Sequence, residues 1–280
     1  DPHPPYIVPE PWDAMYDPKE VTVPQVIPGE HDRNPEHFRK TQEENPDFSD
    51  WEEADGNAMH GCSSHLQDRE SLSKEIAVYY GMISCMDKYI GQILDKLEEL
   101  GLAENTLIVF TSDHGHFFGH HGLNAKGPFH YEDLIRIPFI ASWPGKIEPG
   151  STSTDIQSLV DLAPTFLSAT GTPIPNTMTG LDQTAAWAGE IQSTRNHAIV
   201  ENRHQPTTLY AKTYVNNRYK ITTYRGREYG EIFDLEEDPK ELNNLWDDPD
   251  SQALKSKLIM EFLQAEIRKE PTPMPRVCGA

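Results

Sequence analysis

A chain of 280 residues suffices for one large domain, or for a large domain with a small one attached. Its 45 Asp and Glu against 24 Lys and Arg leave a net charge of −21, which argues against a nucleic-acid partner and requires any anionic ligand to be captured by a local positive site. Three cysteines, Cys62, Cys85 and Cys278, form no disulfide framework or paired zinc motif, and no apolar run approaches the roughly 20 residues of a membrane span.

Residues 1–70 are proline-rich, then acidic, and are expected to be a long loop with little regular structure; for 30–68 a disordered insertion is the competing expectation. Over 71–100, Leu72, Ile76, Tyr79, Ile83, Met86, Ile90, Ile93 and Leu97 recur at alternating +4/+3 spacing, which predicts an amphipathic helix stopped by Gly101. The stripe reads as packing. The run TLIVFT at 106–111 predicts a buried strand ending in Ser112-Asp113-His114-Gly115, and IPFIASW at 137–143 a second one. A helix is expected over 159–169, with Asp161 as N-cap and Gly171 just past its end. Beyond residue 195 the pattern changes to short strands at 198–201, 209–215, 219–224 and 231–235, with Asn216-Asn217 as a hairpin signal. A helix at 251–269 closes the chain, with Leu254, Leu258, Phe262 and Ile267 near one face. Two domains are therefore expected, 1–194 and 195–280, the first α/β and the second a small antiparallel sheet packed on one helix.

The segment TSDHGHFFGHHG, 111–122, concentrates the chemistry-bearing side chains. Asp113 and His114 at a strand end could ligate a divalent cation, with Gly115 permitting a close turn, but two ligands do not make a site. Lys126, between small residues in the following loop, suits the oxygens of an anion. His3, held between prolines in DPHPPY, suits anion contact or proton donation. Taken singly, each of these is as readily an ordinary surface or strand-end residue.

Their order along the chain is more telling. D-P-H-x-P-aromatic, the amphipathic helix, TLIVFTSDHG, G-x-H-G, Lys126, Y-E-D, an apolar strand with W-P-G, D-L-A-P-T and FDLEEDPKELNNL follow one another from end to end. This succession resembles the sulfatase family of the alkaline-phosphatase-like superfamily. The resemblance implies an α/β fold of that kind, incomplete here, plus a small C-terminal antiparallel sheet with one helix. It implies that Asp113 and His114 are metal ligands, most often for calcium, although an imidazole departs from calcium's oxygen preference and leaves manganese or zinc open. Lys126 would hold the sulfate oxygens, His3 would contact the sulfate or the leaving oxygen, and His121 would line the pocket. His116, His120 and His130 receive no role.

Sulfatases resembling this one use a Cys or Ser in a C/S-x-P-x-R motif, converted to formylglycine, as the nucleophile. That motif is absent from these 280 residues, as is the Asp-Asp pair that supplies further metal ligands. The expectation is a C-terminal portion of a sulfatase, from a truncated reading or a processed subunit, that needs its N-terminal part and turns over no sulfate ester alone. The substrate would be a sulfated small molecule or glycan. A phosphodiesterase or phosphonate monoester hydrolase of the same superfamily, and a non-catalytic homologue that binds sulfated glycans, remain alternatives. Family habit points to a periplasmic, secreted or lysosomal setting.

Overall fold

The computed structural model describes residues 5–51, 68–203 and 209–269. His3, Cys62 and Cys278 lie outside the described residues. The chain divides into two compact units, Asp1–Pro144 with Arg203–Tyr210, and Gly145–Asn202 with Ala211–Ala280. The sequence expectation set the boundary at 194/195; here residues 145–194 group with the C-terminal sheet.

In the first unit, a 3-10 turn at Trp12–Ala14 and a short helix α1, Glu36–Lys40, precede the long helix α2, Arg69–Glu99. The segment around α1 is not the structureless insertion entertained above. His31, Asn34, His37, Phe38 and Thr41 are buried, and the Phe38 ring meets Phe129 edge-on at 4.9 Å and Tyr131 at 5.7 Å. The apolar and aromatic partners of that segment lie about a hundred positions away, so no local pattern announces them.

Helix α2 begins where the Asp68 carboxylate accepts the Ser71 N–H at 2.8 Å, satisfying one of the orphan donors of the first turn. It ends in a left-handed Gly101 (φ +64), with Leu102 N bonded to Leu97 O and Gly101 N to Glu98 O, the paired closure that glycine makes inexpensive. Only the first part of its apolar stripe is packed. Leu72, Ile76, Ala77, Gly81 and Met82 are buried, whereas Ile83, Met86, Tyr89 and Ile93 are exposed. Strands β1, Ile108–Thr111, and β2, Phe139–Ser142, pair antiparallel, with Ile108 opposite Ser142. They are not the buried strands expected: Phe110 is 40% and Ile140 61% exposed, so one face of the ribbon is uncovered. The short helix α3, Glu132–Ile135, lies between them in sequence.

In the second unit, a 3-10 turn at Leu159–Asp161 leads into helix α4, Leu162–Ala169, followed by α5, Thr184–Trp187. Asp161 does not act as the expected N-cap. Its carboxylate instead accepts from Leu181 N, Gln183 Nε2 and Arg195, tying two later segments to the helix start. Strands β3 (His197–Asn202), β4 (Ala211–Asn216), β5 (Tyr219–Tyr224) and β6 (Gly230–Asp234) form an antiparallel meander in chain order. Helix α6, Gln252–Lys269, covers it. The core consists of Tyr214, Ile221, Ile232, Trp246, Leu258, Phe262 and Ala265. Ala265 takes the inward place expected of Ile267, which is exposed.

The run FDLEEDPKELNNL is a turn device. Asp234 Oδ1 accepts from Glu236 N and Glu237 N, and the Asp238 carboxylate accepts from Leu242 N and Asn243 N. Asn244 then bonds Ile232 N and Gly230 O, extending the edge of β6 with a side-chain amide.

Candidate active site

Asp113 and His114 follow β1 directly, as the chain leaves the strand and turns. That turn is narrowly defined. Gly115 N donates to Leu134 O at 2.7 Å, and a Cβ on Gly115 would lie 1.9 Å from the Asp133 carbonyl oxygen, so no side chain fits there. Ser112 Oγ bonds the His114 carbonyl at 3.0 Å, and Asp113 Oδ1 accepts the His114 N–H at 2.9 Å.

His114 is oriented through both ring nitrogens. Nδ1 donates to the Gly115 carbonyl at 2.8 Å, which leaves Nε2 with its lone pair outward. The Lys126 ammonium, which can only donate, sits 3.0 Å from that Nε2, and Asp113 Oδ2 lies 3.4 Å from the same atom. The imidazole lone pair thus faces one cationic group with a carboxylate oxygen beside it, and an oxygen next to an imidazole nitrogen also suits a divalent metal. Among the described residues no cluster of three or more His, Cys, Asp or Glu could hold a metal, so the pair is a partial ligand set. Partial burial pushes the Asp113 carboxyl up, but the His114 N–H and the nearby imidazole outweigh it and hold the group below the usual carboxylate range.

His121 lies in a separate network. It adopts a left-handed backbone (φ +55), and its ring stacks flat on Tyr131 at 3.7 Å. Its Nε2 is 3.3 Å from Asp133 Oδ2, while His120 Nδ1 is 3.3 Å from Asp133 Oδ1. Burial raises the Asp133 carboxyl, and the bond from His121 with the charge of His120 brings it below its ordinary value. The His121 carbonyl in turn accepts from the His31 ring at 2.8 Å. The structure therefore joins Asp113, His114 and Lys126, and shows His121 bracing the loop behind them.

His116 received no role from the sequence, yet it stands beside this group. It bonds Tyr6 Oη at 2.5 Å through Nε2, and stacks on Phe118 at 3.9 Å. Tyr79 of α2 meets Phe118 at 4.6 Å and Tyr6 at 5.6 Å. Burial, with the charges of His114 and Lys126, lowers His116 to about 4. Burial, with Glu75 and Tyr79, pushes the Tyr6 phenol above its usual range, and burial with Asp113 does so for Tyr79. Tyr6 closes the DPHPPY motif and Tyr79 sits on the helical stripe; nothing local to either shows that they meet.

A sulfatase family model matches residues 25–172, and a model described as N-sulphoglucosamine sulphohydrolase, C-terminal, matches residues 119–268. The chain belongs to the sulfatase family, with the α/β fold of alkaline-phosphatase-like proteins. It is 33% identical over 193 residues to the N-acetylglucosamine-6-O-sulfatase of Bacteroides thetaiotaomicron, covering 66% of this chain and 34% of that protein. To an arylsulfatase of Clostridium perfringens it is 30% identical over 214 residues, covering 71% of this chain and 42% of that protein. Among solved structures, the phosphonate monoester hydrolase of Silicibacter pomeroyi superposes with a TM-score of 0.79 at 25% identity, over 98% of this chain and 56% of that one. A structure in complex with its substrate D-glucosamine-2-N,6-O-disulfate superposes with a TM-score of 0.67 at 28% identity, over 72% of this chain and 42% of that one. The chain thus spans 34% and 42% of the length of these two curated relatives.

Proposed function

We propose that this chain supplies one side of the ester-binding site of a sulfatase that hydrolyses carbohydrate or aryl sulfates. The observation that carries the reading is the convergence of Asp113, His114 and Lys126 at the end of β1, with Lys126 Nζ 3.0 Å from His114 Nε2. In a chain of net charge −21, that ammonium is the local positive group an anionic ester requires. Asp113 and His114 would hold a divalent cation, calcium by family pattern and manganese or zinc by the chemistry of the imidazole. When bound, such a cation acts as a Lewis acid on the ester oxygens. Lys126 neutralises charge on the sulfuryl oxygens as the ester bond lengthens, and is one candidate to hand a proton to the departing oxygen. His3 is the other candidate for that proton. The nucleophile, a formylglycine, and the remaining ligands would come from chain outside these 280 residues, because no C/S-x-P-x-R motif occurs within them.

A saccharide substrate is favoured by the relative named for N-acetylglucosamine 6-O-sulfate and by the neighbour bound to D-glucosamine-2-N,6-O-disulfate. The second reading is a phosphonate monoester hydrolase. The two such enzymes, from Silicibacter pomeroyi and Agrobacterium radiobacter, superpose over 98% and 96% of this chain with TM-scores of 0.79 and 0.74. The test uses the full-length enzyme on nitrophenyl sulfate and on nitrophenyl phenylphosphonate. The first reading expects the higher kcat/KM on the sulfate, falling about 10²–10³-fold in Lys126→Ala. A preference for the phosphonate selects the second reading. Hydrolysis of an aryl sulfate by the 280-residue chain alone, abolished by Lys126→Ala, overturns the need for an external nucleophile.

A further inference from the structure

Four side chains beside the Asp113–His114–Lys126 group belong to no role assigned so far: Tyr6, Tyr79, His116 and Phe118. They come from three separate segments and meet at ring distances of 3.9–6.2 Å, each half-buried. A purely structural cluster of this kind would need no hydroxyls, yet it carries two.

The direction of those hydroxyls follows from His116. Its Nδ1 accepts the Phe118 N–H at 3.2 Å, so that nitrogen bears no proton and Nε2 bears one. Nε2–H therefore donates to Tyr6 Oη, and the Tyr6 O–H proton must point elsewhere. Among the described residues neither the Tyr6 nor the Tyr79 hydroxyl has an acceptor for its proton. Each hydroxyl therefore keeps a proton that a ligand oxygen can accept. The Phe118 ring lies beside both tyrosines, its centroid 5.7 Å from that of Tyr6 and 4.6 Å from that of Tyr79, and Tyr79 lies within electrostatic reach of Asp113.

We propose that Tyr6, Tyr79 and Phe118 form the subsite for the leaving-group ring of the ester, a hexose or hexosamine. Tyr6 and Tyr79 donate to its ring or hydroxyl oxygens, Phe118 packs on its apolar face, and His116 is the positioning residue that sets the Tyr6 hydroxyl. Phenols suit sugar recognition, since each offers a flat apolar body with a polar tip at little cost in conformational entropy. The assignment rests on the reading that Lys126 and the Asp113–His114 pair hold the charged head of the substrate. It applies equally to a phosphonate head on the same ring.

The experiment separates head from ring. Full-length enzyme is assayed with N-acetylglucosamine 6-sulfate and with methyl sulfate, and the inhibition constant of inorganic sulfate is measured in parallel. Tyr79→Phe and Tyr6→Phe are each expected to raise KM for the saccharide sulfate about tenfold, the scale of one lost hydrogen bond. The same variants should leave KM for methyl sulfate and inhibition by inorganic sulfate within about twofold. His116→Ala should match Tyr6→Phe, and the double variant should be no worse than either, because the two act as one unit. Equal losses on all three probes, or an unchanged KM for the saccharide sulfate, would overturn the subsite. Failure of the head-group reading shows separately, as inorganic sulfate inhibition that Lys126→Ala leaves intact.

Discussion

At the scale of single residues, Gly115 shows how tightly the turn after β1 is drawn. A methyl group there would meet the Asp133 carbonyl oxygen at 1.9 Å, a backbone atom held by the α3 segment and unable to swing aside. Gly115→Ala is expected to destabilise the protein by about 1–3 kcal/mol, the usual cost of overpacking. It should also lower kcat beyond what its stability loss explains, because the Gly115 carbonyl fixes the His114 ring. Thermal unfolding and steady-state kinetics on the full-length enzyme, at a temperature where the variant is folded, check both. The residue types at 113, 114, 115 and 126 were legible in the sequence because their chemistry is local. The partners of His116 and His121 were not, since Tyr6 is 110 positions from His116 and Tyr131 meets His121 only through the turn of the loop.

At the scale of elements, period and punctuation succeed where the signal lies within the element. The body of α2, expected over 71–100 and found at Arg69–Glu99, and its Gly101 stop follow from the order of residues alone. Which part of its stripe is covered does not. Gly81 illustrates a competition that sequence reasoning would misjudge. In an exposed helix, Gly→Ala gains about 1 kcal/mol of helix propensity. Here a Cβ would stand 2.1 Å from the Trp12 carbonyl oxygen, where the 3-10 turn Trp12–Ala14 crosses the helix. The packing cost of about 1–3 kcal/mol should outweigh the propensity gain, so Gly81→Ala is expected to lower the melting temperature. A rise would show that the turn moves freely off the helix. The strands β1 and β2 were correctly placed but wrongly expected to be buried. Apolar composition records what a strand can bury, whereas Phe110 and Ile140 show that the described residues do not cover one of its faces.

At the scale of the whole molecule, the two units place buried ionisable groups of opposite tendency. In the first, burial lowers His31 to about 4, against the pull of the His121 carbonyl; Asp32, Glu30, Asn34 and Tyr131 surround it. The unfolded chain takes up a proton on this histidine near its ordinary value while the folded chain does not. Stability from this group is therefore lost as pH falls from about 6.5 toward 4. In the second unit, burial raises Glu231 to about 8, although Tyr224 donates to it and Lys220 lies near. Lys220 pairs with Glu241, so one cation faces two carboxyls and Glu231 keeps its proton. Its contribution is complete below about 4.5 and is lost as pH rises toward 8. Hydrogen exchange resolved by segment should therefore show residues 31–42 losing protection on acidification while β5 and β6 gain it. Glu231→Gln should flatten the response of β5 and β6 alone; an unchanged profile would refute the protonated carboxyl.

By itself, the sequence determined the family, the helices and strands whose periods are local, and the identity of Asp113, His114 and Lys126 as a chemical group worth joining. Ordered motifs carry that information because caps, turns and strand ends are made by neighbours in the chain. Only the tertiary structure decided which apolar faces are covered, that Asp161 ties later segments instead of capping a helix, and that His121 braces a loop. It alone brought Tyr6, Tyr79, His116 and Phe118 to one place. Contacts between residues distant in sequence leave no period to read, because burial and hydrogen-bond direction depend on what the folded chain lays against each side chain.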